Sequence, residues 1–171
     1  MDPSIQGIIE SAIQAPSGDN CQPWHIKVEG STLQLFNRPE RDNSLYNWER
    51  RASYVSQGAF LENLTIAARK FGYQATVRLF PESSAHPDHV AHIELTKSEP
   101  TEEPLYGAIP LRVTTRKVYK PYELTHQEMR ALQESAGSAA GNALAAEIHL
   151  VTDAKEKEVL EFVEHIKRKK A

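Results

Sequence analysis

Apolar residues recur at helical spacing in two stretches of the first half of the chain. Ile5, Ile8 and Ala12 follow Asp2-Pro3, a capping residue and a proline suited to the first helical position. The second stretch, 49–71, predicts the longest helix, and Gly72 can then adopt a left-handed C-terminal cap. Its apolar surface is broad enough to predict burial on most sides. This surface consists of Val55, Ala59, Phe60, Leu64, Ala67, Ala68 and Phe71.

Four other stretches alternate between apolar and polar residues, which is the period of a β-strand. They are 24–29, 32–36, 73–80 and 89–96. Gly30-Ser31 joins the first two as a tight hairpin turn with glycine first. The polar stretches 37–48 and 81–87 predict loops.

Beyond a charged, proline-containing stretch at 97–104, which predicts a linker, a second set of elements begins. Thr125-x-x-Glu128 is a capping box and predicts a helix over 125–136. A strand at 148–151 and a helix from 153 onward follow. Glu-Ser-Ala ends the first helix at 10–12 and this one at 134–136, so a helix–loop–strand unit occurs twice, although chance is an alternative for so short a match.

Composition narrows the class of protein. The chain has 171 residues, 40% hydrophobic and 25% charged, as expected of one globular domain with a sizeable core. A net charge of −3 argues against nucleic-acid binding. We find no apolar run of membrane-spanning length and no secretory signal pattern, which predicts no membrane association. Cys21 is the single cysteine, so an internal disulfide is excluded and the cytoplasm is the expected compartment.

Two short segments carry candidate chemistry. Residues 15–24 place prolines at both ends of a run of turn-forming polar residues, which predicts a rigid loop able to contact a flat heterocycle edge-on. An ordinary helix-to-strand connector is the alternative, and Trp24 at its end is expected to be a core anchor. Arg112 and Arg116, with Thr114 between them, could converge on a phosphate. A basic solvated loop is the alternative there.

Both segments resemble elements of one family. Ala15-Pro16-Ser17, Asn20 and Gln22-Pro23-Trp24 match the Ala-Pro-Ser-x-x-Asn-x-Gln-Pro-Trp signature of the nitroreductase family of FMN flavoproteins, and 112–116 is similar to the family's Arg-x-Ser-x-Arg element. The resemblance implies an α+β fold with a mixed, mainly antiparallel sheet covered by helices. It assigns no catalytic residue. It implies cofactor contacts for Pro16, Ser17, Asn20, Gln22, Arg112, Thr114 and Arg116.

The order of the two elements resembles a particular branch of that family. Most nitroreductases place the arginine element before the loop, whereas here it follows, as in the branch whose long chains carry two nitroreductase-like halves. The helix around 58–73 also resembles that branch. The resemblance implies a first half at 1–103 and, at 104–171, the arginine element and the start of a degenerate second half. It also implies either a homo-oligomer or a longer two-half chain.

The function implied is an FMN-dependent oxidoreductase that passes hydride equivalents from NAD(P)H to a nitro, quinone or similar small acceptor. A non-catalytic flavin-binding or sequestering protein, or an interaction domain with a degenerate site, is the alternative.

Two other kinds of chemistry, metal binding and nucleophilic catalysis, have less support in the sequence. His86, His89 and His92 are spaced three residues apart, and residues three apart on a strand point to opposite faces. His89 and His92 are therefore not expected to bind one metal ion. Ser17 lacks the Gly-x-Ser-x-Gly elbow of a hydrolase, and Cys21 has no partner thiol.

Overall fold

The computed structural model describes residues 2–81, 86–118 and 122–139. The chain divides into two compact units, Met1–Arg116 and Lys117–Ala171. Both candidate site segments lie in the first unit. The predicted division at 103/104 stays a prediction.

The first unit is built on an antiparallel sheet of four strands. The strands are β1 (Trp24–Glu29), β2 (Thr32–Asn37), β3 (Tyr73–Leu79) and β4 (His89–Lys97), in the order β1-β2-β4-β3. Leu35 pairs with Ile26 on one side and with Ala91 on the other. Gly30 has a φ of +62°, which confirms the glycine-first hairpin turn between β1 and β2. All four strands fall within a residue of their predicted bounds.

Two helices pack on the apolar side of this sheet. Helix α1 (Pro3–Ala12) begins with Asp2, whose Oδ1 accepts a hydrogen bond from the Ser4 amide at 2.8 Å. Helix α2 (Arg51–Lys70) is the long helix, and Gly72 follows it with a φ of +74°. Sheet and helices enclose a core that includes Ile8, Leu33, Leu35, Phe60, Leu64, Ile93 and Leu95. The α+β class is confirmed.

The burial of α2 differs from the sequence prediction. Val55, which the apolar pattern assigns to the buried surface, is 75% exposed, whereas Ser53 and Gln57 are fully buried. Residues two apart on a helix point to nearly opposite sides, so Val55 lies away from the sheet when Ser53 and Gln57 face it. The prediction of burial on most sides is therefore wrong for one stripe of the helix. That stripe consists of Arg51, Val55, Gly58 and Glu62.

The stretch predicted as a linker is attached to the end of α2. Glu103 Oε2 accepts a hydrogen bond from Arg69 Nε at 2.6 Å, and the Thr101 amide donates to the Arg69 carbonyl at 3.1 Å. Tyr106 then meets the Phe71 ring edge-on at 5.9 Å. These contacts hold the chain at the C-terminal end of α2 before the arginine element begins.

The described part of the second unit is one helix, α3 (His126–Ala139). Its capping box is confirmed, because the Thr125 amide donates to Glu128 Oε2 at 2.8 Å and the Glu128 amide donates to Thr125 Oγ1 at 3.3 Å. The helix runs three residues past its predicted end at Ala136. The strand predicted at 148–151 and the helix from 153 lie outside the described residues. Of the helices the structure describes, none is both long and apolar enough to cross a membrane.

Candidate functional site

The loop between α1 and β1 is tightly folded on itself. The Asn20 amide donates to the Ser17 carbonyl at 3.1 Å and the Cys21 amide to the Gly18 carbonyl at 2.9 Å. Ser17 Oγ accepts a hydrogen bond from the Gln22 amide at 3.0 Å. Because the Ser17 oxygen acts as an acceptor within the loop, its hydroxyl hydrogen can be donated to a ligand.

The loop backbone is strained. Asp19, Asn20 and Gln22 have φ values of +46°, +57° and +50°, in the left-handed region. Such a conformation costs a residue other than glycine about 1–3 kcal/mol, and it persists only where surrounding contacts enforce it. Asparagine tolerates it best because its short polar side chain can hydrogen-bond locally. The strain follows from holding the loop in one shape between two anchored ends.

The exit of the loop is anchored by a buried amide network. The Pro23 carbonyl accepts hydrogen bonds from Gln57 Nε2 at 3.1 Å and from the Arg38 amide at 2.9 Å. Gln57 Nε2 also donates to Asn37 Oδ1 at 2.7 Å. Sequence reasoning missed Gln57 and Asn37. The available signal was the spacing of Gln57, which stands three residues before Phe60 and seven before Leu64 and therefore shares their buried face of the helix.

Trp24 completes the anchor. It is 8% exposed, and its ring lies 5.4 Å from that of Phe60 on α2. The prediction that Trp24 is a core anchor is confirmed. The side chains left at the surface are those of the loop itself: Pro16 and Asn20 are exposed, while Ser17 and Gln22 are half-buried. Gln22 Nε2 lies 3.5 Å from Asn20 Oδ1, so these two amides are neighbours.

The arginine element lies against this loop, although the two are far apart in sequence. Arg112 Nη2 donates to the Gln14 carbonyl at 3.4 Å, and Arg112 Nη1 donates to Thr114 Oγ1 at 3.4 Å. Arg116 Nη2 lies 3.6 Å from Asp19 Oδ1. The structure thus brings all seven predicted site residues into one region of the surface.

Carboxylates border the loop as well. Asp42 Oδ2 lies 3.6 Å from the position that a Cβ on Gly18 would occupy. Burial, and then the negative charge of Asp42, raise the pKa of the Cys21 thiol above its ordinary value, and Asp19 adds a smaller effect. A raised pKa keeps this thiol protonated near neutral pH and makes it a poor nucleophile.

The three histidines considered for a metal site have other partners. His89 stacks on Phe36 with ring centroids 4.7 Å apart, and its Nε2 lies 3.0 Å from the Ala91 carbonyl. His92 Nε2 lies 3.4 Å from Glu94 Oε1. Burial lowers the pKa of His89. Within the described residues, no three metal-ligating side chains come together.

Comparison with known proteins identifies related sequences. No protein-family profile matches the chain. Over 118 residues it is 31% identical to "Putative NAD(P)H nitroreductase Rv3131" of Mycobacterium tuberculosis, a match that covers 68% of this chain and 34% of that protein. Over 97 residues it is 31% identical to "Putative NAD(P)H nitroreductase acg" of the same organism, with coverages of 56% and 28%. The match thus spans about a third of the length of these relatives.

Solved structures with a similar chain path are more distant. One is described as a "putative nitroreductase in complex with fmn" from Desulfovibrio desulfuricans, with 17% identity, a TM-score of 0.45, and coverage of 72% of this chain and 87% of that one. Another is described as a "Putative NADH Oxidase" from Clostridium acetobutylicum, with 17% identity, a TM-score of 0.46, and coverages of 60% and 80%.

Proposed function

This chain belongs to the nitroreductase family, and we propose that it supplies one wall of the FMN site of an NAD(P)H-dependent oxidoreductase. The observation that carries the proposal is the meeting of the two candidate segments. Arg112 reaches the Gln14 carbonyl and Arg116 reaches Asp19, across 98 residues of sequence in the first case. A flavin mononucleotide needs polar contacts for its ring and cationic ones for its phosphate, and this surface offers both side by side.

The arginine element has the donors that a phosphate requires. Guanidinium groups form bidentate, charge-assisted hydrogen bonds to phosphate oxygens. Arg112 donates to a neutral carbonyl and a neutral hydroxyl, both at 3.4 Å, which are long contacts that a phosphate oxygen could replace. Thr114 Oγ1 lies beside Arg112 and can add a neutral donor. We propose Arg112, Thr114 and Arg116 as the phosphate-binding residues.

The loop offers the contacts for the ring. Ser17 can donate its hydroxyl hydrogen, and the exposed Asn20 amide carries both donors and an acceptor. Because the loop is closed on itself and its exit is held by Gln57, little ordering is required when a ligand binds. We propose that Ser17 and Asn20, flanked by Pro16 and Gln22, orient the ring edge.

The bound flavin would supply the hydride chemistry, accepting from NAD(P)H and passing on to a nitro, quinone or similar small acceptor. The residues of this chain would hold and orient it. They cannot enclose it alone, since the Arg116 and Asp19 side chains are 78% and 90% exposed. We therefore propose that a second copy, or a further half of a longer polypeptide, covers this surface and excludes water.

Exposed apolar residues in the segment before α2 and in its first turns support such a partner. Tyr46, Trp48 and Val55 are 74%, 72% and 75% exposed, and Leu45 is 87% exposed. Large apolar side chains exposed within one short stretch of chain are typical of interaction surfaces. Light scattering at micromolar concentration tests this step. A 19.2 kDa monomer that binds FMN stoichiometrically would show that one copy is sufficient.

The central experiment measures flavin directly. The chain is titrated into FMN while flavin fluorescence and visible absorbance are recorded, and NADH or NADPH is then added anaerobically. Saturable binding followed by bleaching of the flavin absorbance is the expected result. Binding without bleaching would favour the sequestering protein. A folded chain that leaves FMN free at high micromolar concentration would favour an interaction domain and would contradict the proposal.

A further inference from the structure

We infer that Asp19 is a specificity-determining residue at the phosphate end of the site, where its carboxylate competes with the ligand's phosphate for Arg116. This inference rests on the proposed function. It concerns a position at which the loop signature leaves the residue type open.

The two arginines of the element have different partners. Arg112 contacts neutral oxygens, those of the Gln14 carbonyl and the Thr114 hydroxyl. Arg116 instead faces a charged group, with its Nη2 3.6 Å from Asp19 Oδ1. A phosphate can bind Arg112 without displacing a charged group. At Arg116 it must displace or share a partner that already carries a negative charge.

The position of Asp19 is imposed by the loop. Its backbone is held at a φ of +46° inside the tight turn that Ser17 and Gly18 close with Asn20 and Cys21. The other nearby carboxylate, Asp42, is engaged elsewhere, because its Oδ1 accepts hydrogen bonds from the amide and hydroxyl of Ser44. Asp19 is thus the acidic group of the loop that the structure presents to the arginine element.

The pair is weak enough to exchange with a ligand. Both side chains are largely exposed, and exposed ion pairs in water contribute little and are screened by salt. Competition with Asp19 weakens the binding of a ligand in proportion to the negative charge that the ligand carries at its phosphate end. A phosphate monoester, whose second pKa is about 6, is close to a dianion at neutral pH and is affected most. A flavin without phosphate is not affected.

The test compares wild type with Asp19→Asn. Removal of the charge is expected to tighten FMN binding about two- to fivefold at low salt, the range for one exposed ion pair, and to leave riboflavin binding unchanged. The gain should shrink in 0.5 M salt. Glu29→Gln, which removes an exposed carboxylate at the end of β1, is the matched control and should change neither affinity.

Inorganic phosphate serves as a second probe, because it needs only the phosphate end and can be followed by NMR shifts of the Arg116 side chain. Asp19→Asn should bind it more tightly than wild type. Unchanged FMN and phosphate affinities in Asp19→Asn would overturn the inference and leave the proposed function standing. Equal tightening of FMN and riboflavin would do the same, because it would indicate a change in the shape of the loop and not the removal of a competing charge. If wild type and variant bind neither FMN nor phosphate, the inference and the proposed function both fail.

Discussion

Gln57 of α2 donates through Nε2 to Oδ1 of Asn37 at the end of β2, at 2.7 Å, and both side chains are buried. The same nitrogen donates to the Pro23 carbonyl. This network ties the long helix to the sheet and to the exit of the candidate FMN loop. Among the described residues, Asn37 Nδ2 and Gln57 Oε1 are buried polar atoms without a partner, so the network positions the loop at some cost in stability.

The first prediction concerns this network. Gln57→Leu should lower the free energy of unfolding by about 1–3 kcal/mol, because Asn37 Oδ1 loses its donor in a buried place. The double variant Gln57→Leu/Asn37→Leu should lose less than the sum of the single variants. Urea unfolding measures both. Gln74→Leu, an exposed amide on β3, is the control and should stay within about 0.5 kcal/mol. Additive losses would show that the two amides act independently.

The second prediction distinguishes the contribution of the Asn20 side chain to FMN binding from the contribution of its backbone conformation to stability. Asn20→Gly keeps the φ of +57° without strain, so it should preserve the melting temperature while weakening FMN binding. Asn20→Ala should weaken binding and also cost about 1 kcal/mol of stability, because alanine is strained in the left-handed region. Thermal melts without flavin and fluorescence titrations with FMN provide the two readouts. Wild-type FMN affinity in Asn20→Gly would remove Asn20 from the site.

The third prediction concerns the phosphate. Arg112→Ala combined with Arg116→Ala should weaken FMN binding more than Thr114→Ala, since a hydrogen bond to a charged group contributes about 1.5–3 kcal/mol against about 1 kcal/mol for a neutral pair. Arg51→Ala removes an exposed arginine at the start of α2 and should leave the affinity unchanged. Flavin fluorescence titration is the measurement. Equal affinity of wild type and the double arginine variant would eliminate the phosphate role.

The fourth prediction contrasts the two tryptophans. Trp24→Ala should lower the free energy of unfolding by about 3–5 kcal/mol, because Trp24 is buried against Phe60. At concentrations where light scattering shows the chain to be monomeric, Trp48→Ala should change it by no more than about 0.5 kcal/mol, because Trp48 is largely exposed in the single chain. Far-UV circular dichroism in urea follows both without relying on tryptophan emission. Similar losses for the two variants would mean that Trp48 is covered in solution.

The fifth prediction is a pH dependence. Burial lowers the pKa of His89 in the folded chain, so the unfolded chain binds the extra proton more readily. The corresponding stability is present above the unfolded value of about 6.5 and is lost as the pH falls toward the folded value. His89→Gln should therefore lose less stability than wild type between pH 7.5 and pH 5.5, as measured by urea midpoints. Gln74→Leu, at an exposed neutral side chain on β3, is the control and should show the wild-type pH dependence.

The sequence by itself determined the local elements of this protein. The strands, the ends of α1 and α2, the hairpin glycine and the capping box of α3 all follow from backbone periodicity and from residues that act within one turn of themselves. The two short motifs also identified the family. What these signals report is the conformation of a segment and the chemistry it carries, since both depend on neighbours in the chain.

The tertiary structure alone decided which segments meet. Arg112 reaches the Gln14 carbonyl, and Arg69 holds Glu103 of the stretch after β4 at the end of α2, two contacts that no local pattern encodes. Gln57 anchors the loop and Val55 lies at the surface because the sheet packs against one face of α2. Such choices depend on how all the apolar surfaces are buried together, because packing acts between residues far apart in sequence. The candidate site is a product of that packing.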